Sequence, residues 1–235
     1  MSRLEDIQKF YNLMQILEEK LRNQKDRGER ILSQCEGNMG WPERGICFFF
    51  EPGEERTTSG DGPRVVRVDT HAISSGSKTA LWTQLSHHKG NTRTGGGNHR
   101  DSDFRKIIGS SLIKKYKTLS SNTWGKGSSV SKKVSKQERL IEQEVTNIIG
   151  QMPFLWLEVN DEPSENSHRA ILQQNIIALL SNWDKEPIDP ASENWLGSYC
   201  PTENVKGSGL WNTEHVETEY DPVFLAILEA YIAKV

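Results

Sequence analysis

Two apolar runs, separated by a glycine- and proline-rich turn and followed by an amphipathic stretch, restrict what this chain can fold into. Gly45-Ile46-Cys47-Phe48-Phe49-Phe50-Glu51 and Arg64-Val65-Val66-Arg67-Val68-Asp69-Thr70-His71 carry the aromatic and β-branched residues that favour strands. Pro52-Gly53 and Asp61-Gly62-Pro63 supply the turn chemistry between them. Phe48-Phe49-Phe50 demands a strand covered on both faces. Lys78 to His88 then reads as a helix, with Ser77 as its N-cap and Gly90 as its terminator.

The remaining chain alternates helix signals with polar loops. Ser2 to about Gln34 is expected to be one amphipathic helix, opened by a capping box of Ser2 and Glu5. Its apolar seam is Ile7, Phe10, Met14, Leu17 and Leu21. So short a seam is expected to pack on the domain, with a homodimer through this helix as the alternative. Gly90 to Arg100 is a glycine-rich loop and Asp101 to about Lys115 a helix with Phe104, Ile108 and Leu112 inward. Lys117 to Ser135 reads as a mobile loop and Lys136 to Ile149 as a helix. A third strand follows at Phe154 to Val159, then a helix at Ser167 to Ser181. Asn182 to Asp221 has little periodicity but carries Trp183, Trp195 and Trp211, so it is expected to wrap the core. Asp221-Pro222 starts a last helix.

Charge is unevenly spread. Residues 64–139 hold 16 Lys or Arg against 4 Asp or Glu, whereas residues 140–235 hold 4 against 16. The basic middle can meet a phosphate backbone or pack against the acidic C-terminal part, and charge alone does not choose. No apolar run approaches the ~20 residues of a membrane span, so no membrane partner is expected. The three cysteines lack metal-ligand spacing, and the start Met1-Ser2-Arg3-Leu4-Glu5-Asp6 is too acidic and amphipathic for a signal peptide. A reduced, cytoplasmic setting is expected.

The order strand, strand, helix, then a later strand and helix, with Gly45-Ile46-Cys47, Arg67-Val68-Asp69, Leu81 to His88 and Gln173-Gln174-Asn175 at its key points, resembles the GIY-YIG nuclease superfamily, in its bacterial, restriction-endonuclease-like branch. The resemblance implies an α+β fold: a small three-stranded antiparallel sheet flanked by helices, spanning 41–182. It would carry a basic insert at about 90–136, an N-terminal helix and linker at 1–40, and a C-terminal wrap and helix at 183–235. It also implies metal-dependent phosphodiester hydrolysis on DNA, with RNA as a second possible substrate, and Mg2+ or Mn2+ as cofactor if the site is active and none otherwise.

Residue by residue, the match places Cys47 at the first tyrosine, Arg67 at the second, Gln84 at the phosphate-binding arginine and His88 at the neighbouring acid or base. It places Gln173 at the metal-binding glutamate, and Asn175 matches the family. Three separate catalytic roles are therefore substituted, which favours weakened or lost hydrolysis. The alternative is an inactive nucleic-acid-binding or protein-interaction module. Outside this set, Lys89, Arg93, Asn98, His99, Arg100, Lys114, Lys115 and Lys126 are candidates to contact a nucleic-acid backbone. Arg100 could serve as a phosphate clamp beside the amides of Gly95-Gly96-Gly97.

Overall fold

The computed structural model describes residues 2–24, 30–129 and 131–235. Strands β1 (Arg30–Ile31), β2 (Gly45–Glu55), β3 (Pro63–Thr70) and β4 (Pro153–Glu158) form one antiparallel sheet in the order β1-β4-β2-β3. The three expected strands are present, and the two-residue β1 adds a fourth. It falls inside what the sequence suggests is a continuous helix to Gln34, because α1 (Arg3–Asn23) stops earlier. The Ser2 and Glu5 capping box opens α1 as expected.

The aromatic run settles at the sheet's centre, where β2 pairs with β3 on one side and β4 on the other. Opposite residues of an antiparallel pair share a face, and successive residues alternate. Phe48 and Val68 therefore face one layer, where Phe10 of α1 meets Phe48 edge-on at 6.1 Å. The seam Ile7, Phe10, Met14, Leu17 and Leu21 is buried within the domain. Each such burial contributes roughly 1.5–3 kcal/mol. Helices α5 (His168–Leu180) and α7 (Phe224–Ile232) complete this layer. Cys47, Phe49, Arg67 and Asp69 face the other way, toward α2 (Leu81–Lys89), α3 (Asp103–Lys115) and α4 (Lys132–Gly150).

Helices α2 and α4 start elsewhere than expected. Helix α2 begins at Leu81 with no side-chain cap, and Ser77 belongs to the preceding turn, its amide bonded to Ser74 O. Helix α4 begins at Lys132 rather than Lys136: Ser131 Oγ accepts from Val134 N and caps a first turn whose lysines are exposed and whose apolar residue is the half-buried Val134. Gly109 lets the Trp124 ring lie directly on α3; a Cβ there would overlap the indole.

The C-terminal segment buries Trp195 and Trp211, with Trp183 half-buried, and it includes α6 (Glu203–Ser208). Trp195 and Trp211 both donate from Nε1 to Glu51 Oε2, at 3.0 and 2.9 Å. Trp211 N donates to Val66 O at 2.7 Å, while the Asn212 side chain accepts from Val68 N at 3.1 Å and donates to Val68 O at 2.8 Å. Asp189, held at φ +50, accepts from the amides of Thr57, Thr58 and Ser59 in the β2–β3 turn. Helix α7 begins at Phe224 with no side-chain cap, later than the expected Asp221-Pro222 start; Asp221 Oδ1 accepts from Val223 N in the turn before it.

Candidate functional site

Arg67 and Asp69 are two residues apart on β3, so both emerge on the face that α2 covers. Gln84 and His88 are four apart on α2 and share the helix face that meets them. The four side chains close into one network. Asp69 Oδ1 accepts from Arg67 Nη2 at 2.8 Å, and its Oδ2 accepts from His88 Nε2 at 2.7 Å and from Gln84 Nε2 at 3.3 Å. Arg67 Nη1 donates to Trp211 O at 2.6 Å, and its guanidinium lies over the Phe104 ring at 4.6 Å.

The protonation states follow from this geometry. Burial alone would raise the pKa of Asp69, but Arg67 and His88 outweigh it and hold the carboxyl well below the usual range. An ionised Asp69 accepts only, so His88 Nε2 carries the proton. Burial lowers the pKa of His88 despite Asp69, so the ring is neutral near pH 7. Its Nδ1 then accepts from Ser102 Oγ at 2.7 Å, and Ser102 Oγ in turn accepts from Arg105 N at the start of α3. Gln84 Nε2 and His88 Nε2, 3.3 Å apart, are both donors converging on one carboxylate oxygen.

Above this network lies a polar cleft of about 370 Å³, lined by Arg67, Asp69, Gln84, Ser102, Gln173 and Asn212 among others. Gln173 reaches it from α5 across the β3 edge, its Nε2 3.4 Å from Val68 O. Arg67, Gln84 and Gln173 thus come together, with His88 fully buried beneath them. Cys47 lies on the same sheet face but is buried and does not line the cleft, and burial pushes its thiol pKa well up. Asn175 does not join them: its side chain donates to Ile171 O at 2.8 Å and accepts from Asp221 N at 2.7 Å, tying α5 to the start of α7.

The basic candidates divide into two groups. Arg100 makes a two-pronged pair with Glu138 of α4, at 2.8 and 3.0 Å, rather than standing free as a clamp. His99 is buried, takes its contacts from Glu142 and Gly125, and stacks on Trp124 at 3.7 Å. Lys89 donates to Cys35 O and pairs with Glu36, and Asn98 donates to Asp101. Arg93, Lys114 and Lys126 are exposed, and Lys115 is half-buried against two tyrosines.

At the position where the family resemblance places the metal, the residues present do not fit a divalent ion, although Asp101, Asp103 and Glu214 also line the cleft. Both oxygens of Asp69 are occupied by cationic or amide donors. Gln173 offers a neutral amide, a poorer ligand than a carboxylate for a hard cation. Among the described residues no group of three His, Cys, Asp or Glu side chains is arranged to hold an ion.

Sequence reasoning missed Asp69, Ser102 and Asn212. Asp69 had a usable signal, since residue i+2 on a strand shares the face of residue i. Asn212 had none, because it is 144 positions from its partner Val68.

Among protein-family models, that of the GIY-YIG domain matches residues 1–235. The curated proteins and the solved structures gave no match.

Proposed function

From the chain's membership of the GIY-YIG domain family, we propose that it is a nuclease-fold protein that binds nucleic acid, DNA in the first instance, and no longer hydrolyses it. The observation that carries this reading is the closed Asp69 network. The family's hydrolysis needs a positive group on the scissile phosphate and a carboxylate on a metal ion. Here the corresponding positions carry two neutral amides, Gln84 and Gln173, and the two guanidinium groups lining the cleft are both engaged, Arg67 by Asp69 and Trp211 O and Arg100 by Glu138. Removing one preorganised charge-stabilising donor commonly costs ~3 kcal/mol or more of transition-state stabilisation. His88 is held neutral, buried and hydrogen-bonded at both nitrogens, so it positions Asp69 rather than serving as an accessible acid or base.

Affinity in this reading comes from the segment between Asp103 and Glu138. It contains Arg105 and eight lysines with no intervening acid. Arg105 is neutralised by Glu142 at 2.5 Å, whereas Lys114, Lys117, Lys126, Lys132, Lys133 and Lys136 are exposed. Lysines meeting a phosphate backbone release counterions, so binding weakens with salt.

The test is incubation of the protein with supercoiled plasmid and Mg2+ or Mn2+, beside a salt series of DNA-binding constants. The plasmid is expected to stay supercoiled while the logarithm of the binding constant falls linearly with that of salt. Nicking or linearisation by the wild type would overturn the loss of hydrolysis. No binding at low salt would overturn the nucleic-acid role.

A further inference from the structure

Resting on the nucleic-acid reading above, we propose that the C-terminal end of α3 and the 3-10 turn Leu196–Tyr199 form a stacking platform for single-stranded nucleic acid. Tyr116 and Tyr199 are the aromatic residues among the large side chains left well exposed, at 46% and 42%. They come from segments 83 positions apart, yet one ammonium bridges them: Lys115 Nζ lies 5.5 Å from the Tyr116 ring and 4.9 Å from the Tyr199 ring. Phenol rings join an apolar face to a polar tip and suit interfaces, so two exposed rings held over one ammonium make a surface fit for binding.

The chemistry around them suits nucleic acid. Lys114 and Lys117 flank Lys115-Tyr116 in sequence and are exposed. Phenol faces with interleaved ammonium groups combine the two requirements of strand binding, a π-surface for an unstacked base and positive charge for the backbone. A duplex keeps its base faces inside the stack and offers these rings only its phosphate edge. The platform therefore distinguishes single from double strands, which charge alone does not. It lies apart from the Asp69 cleft, whose lining residues do not include Tyr116, Tyr199 or Lys115.

The experiment measures fluorescence anisotropy of labelled oligonucleotides of equal length, as single-stranded DNA, single-stranded RNA and duplex DNA. Wild type is compared with Tyr116→Ala, Tyr199→Ala and the corresponding Trp substitutions, at one fixed salt concentration. Each alanine variant is expected to weaken at least one of the single-stranded probes about tenfold and the duplex hardly at all, and each tryptophan variant to keep wild-type affinity. Which single strand is bound more tightly identifies the nucleic acid. Equal losses on single and double strands, or alanine variants that bind like wild type, would overturn the platform while leaving lysine-driven binding intact. Failure of every probe to bind wild type would overturn both readings. Unchanged far-ultraviolet circular dichroism of the variants separates lost stacking from lost fold.

Discussion

At the residue scale, His88 links burial to pH. Burial is the largest cause of its lowered pKa and Asp69 opposes it. The unfolded chain takes up a proton at the ordinary value of 6.5, which the folded chain resists. More protons are then bound when unfolded, so stability falls as pH drops through that value. Asp69, also lowered when folded, adds a second loss below its ordinary 3.8. Urea unfolding at pH 7.5, 6.0 and 5.0 should show this decline in wild type and a flatter one in His88→Gln; equal slopes would sink the assignment. His88 was legible from its spacing to Gln84, but its burial was not. A histidine at a helix end looks solvated until Phe49 and Phe104 are seen edge-on around it, at 6.2 and 5.6 Å.

At the scale of elements, the clamp between α3 and α4 decides the fate of the basic insert. Arg105 is fully buried and donates to Glu142 Oε2, Glu142 O, Thr146 Oγ1 and His88 O. Glu142→Ala would leave that guanidinium without its counter-charge, and the His99 amide and ring without their acceptor. A loss of about 3–5 kcal/mol in chemical denaturation is expected; a change under 1 kcal/mol would show that the clamp is replaceable. Sequence did not reveal this clamp. Nothing in the spacing of Glu138 and Glu142 ties them to Arg100 and His99, which were expected at a nucleic-acid backbone. The strands and most helices were legible because their periodicity is local. The α4 start was not, because it is marked by the Ser131 cap rather than by a run of apolar periodicity.

Across the whole molecule, the acidic C-terminal part does more than balance the basic middle. Asp189 takes three consecutive amides and the Ser59 hydroxyl of the β2–β3 turn, and Glu54 of β2 accepts from Ser192. The wrap therefore fastens the hairpin by backbone and hydroxyl contacts that no charge count could predict. Asp189→Ala should expose the amides of Thr57 to Ser59 to faster hydrogen exchange and cost about 1–3 kcal/mol. Unaltered exchange there would mean that the turn holds itself.

The bonds from Trp211 and Asn212 to Val66 and Val68 also have a consequence for how molecules of this protein meet one another. The outer rim of a sheet is a template on which a neighbouring polypeptide can lengthen the ladder. On β3 that template is already filled: a side-chain amide imitates a peptide group, donating and accepting at Val68 as another strand would. This margin of the sheet is sealed by the molecule's own chain, and growth by ribbon addition into fibrils has no purchase at Val68.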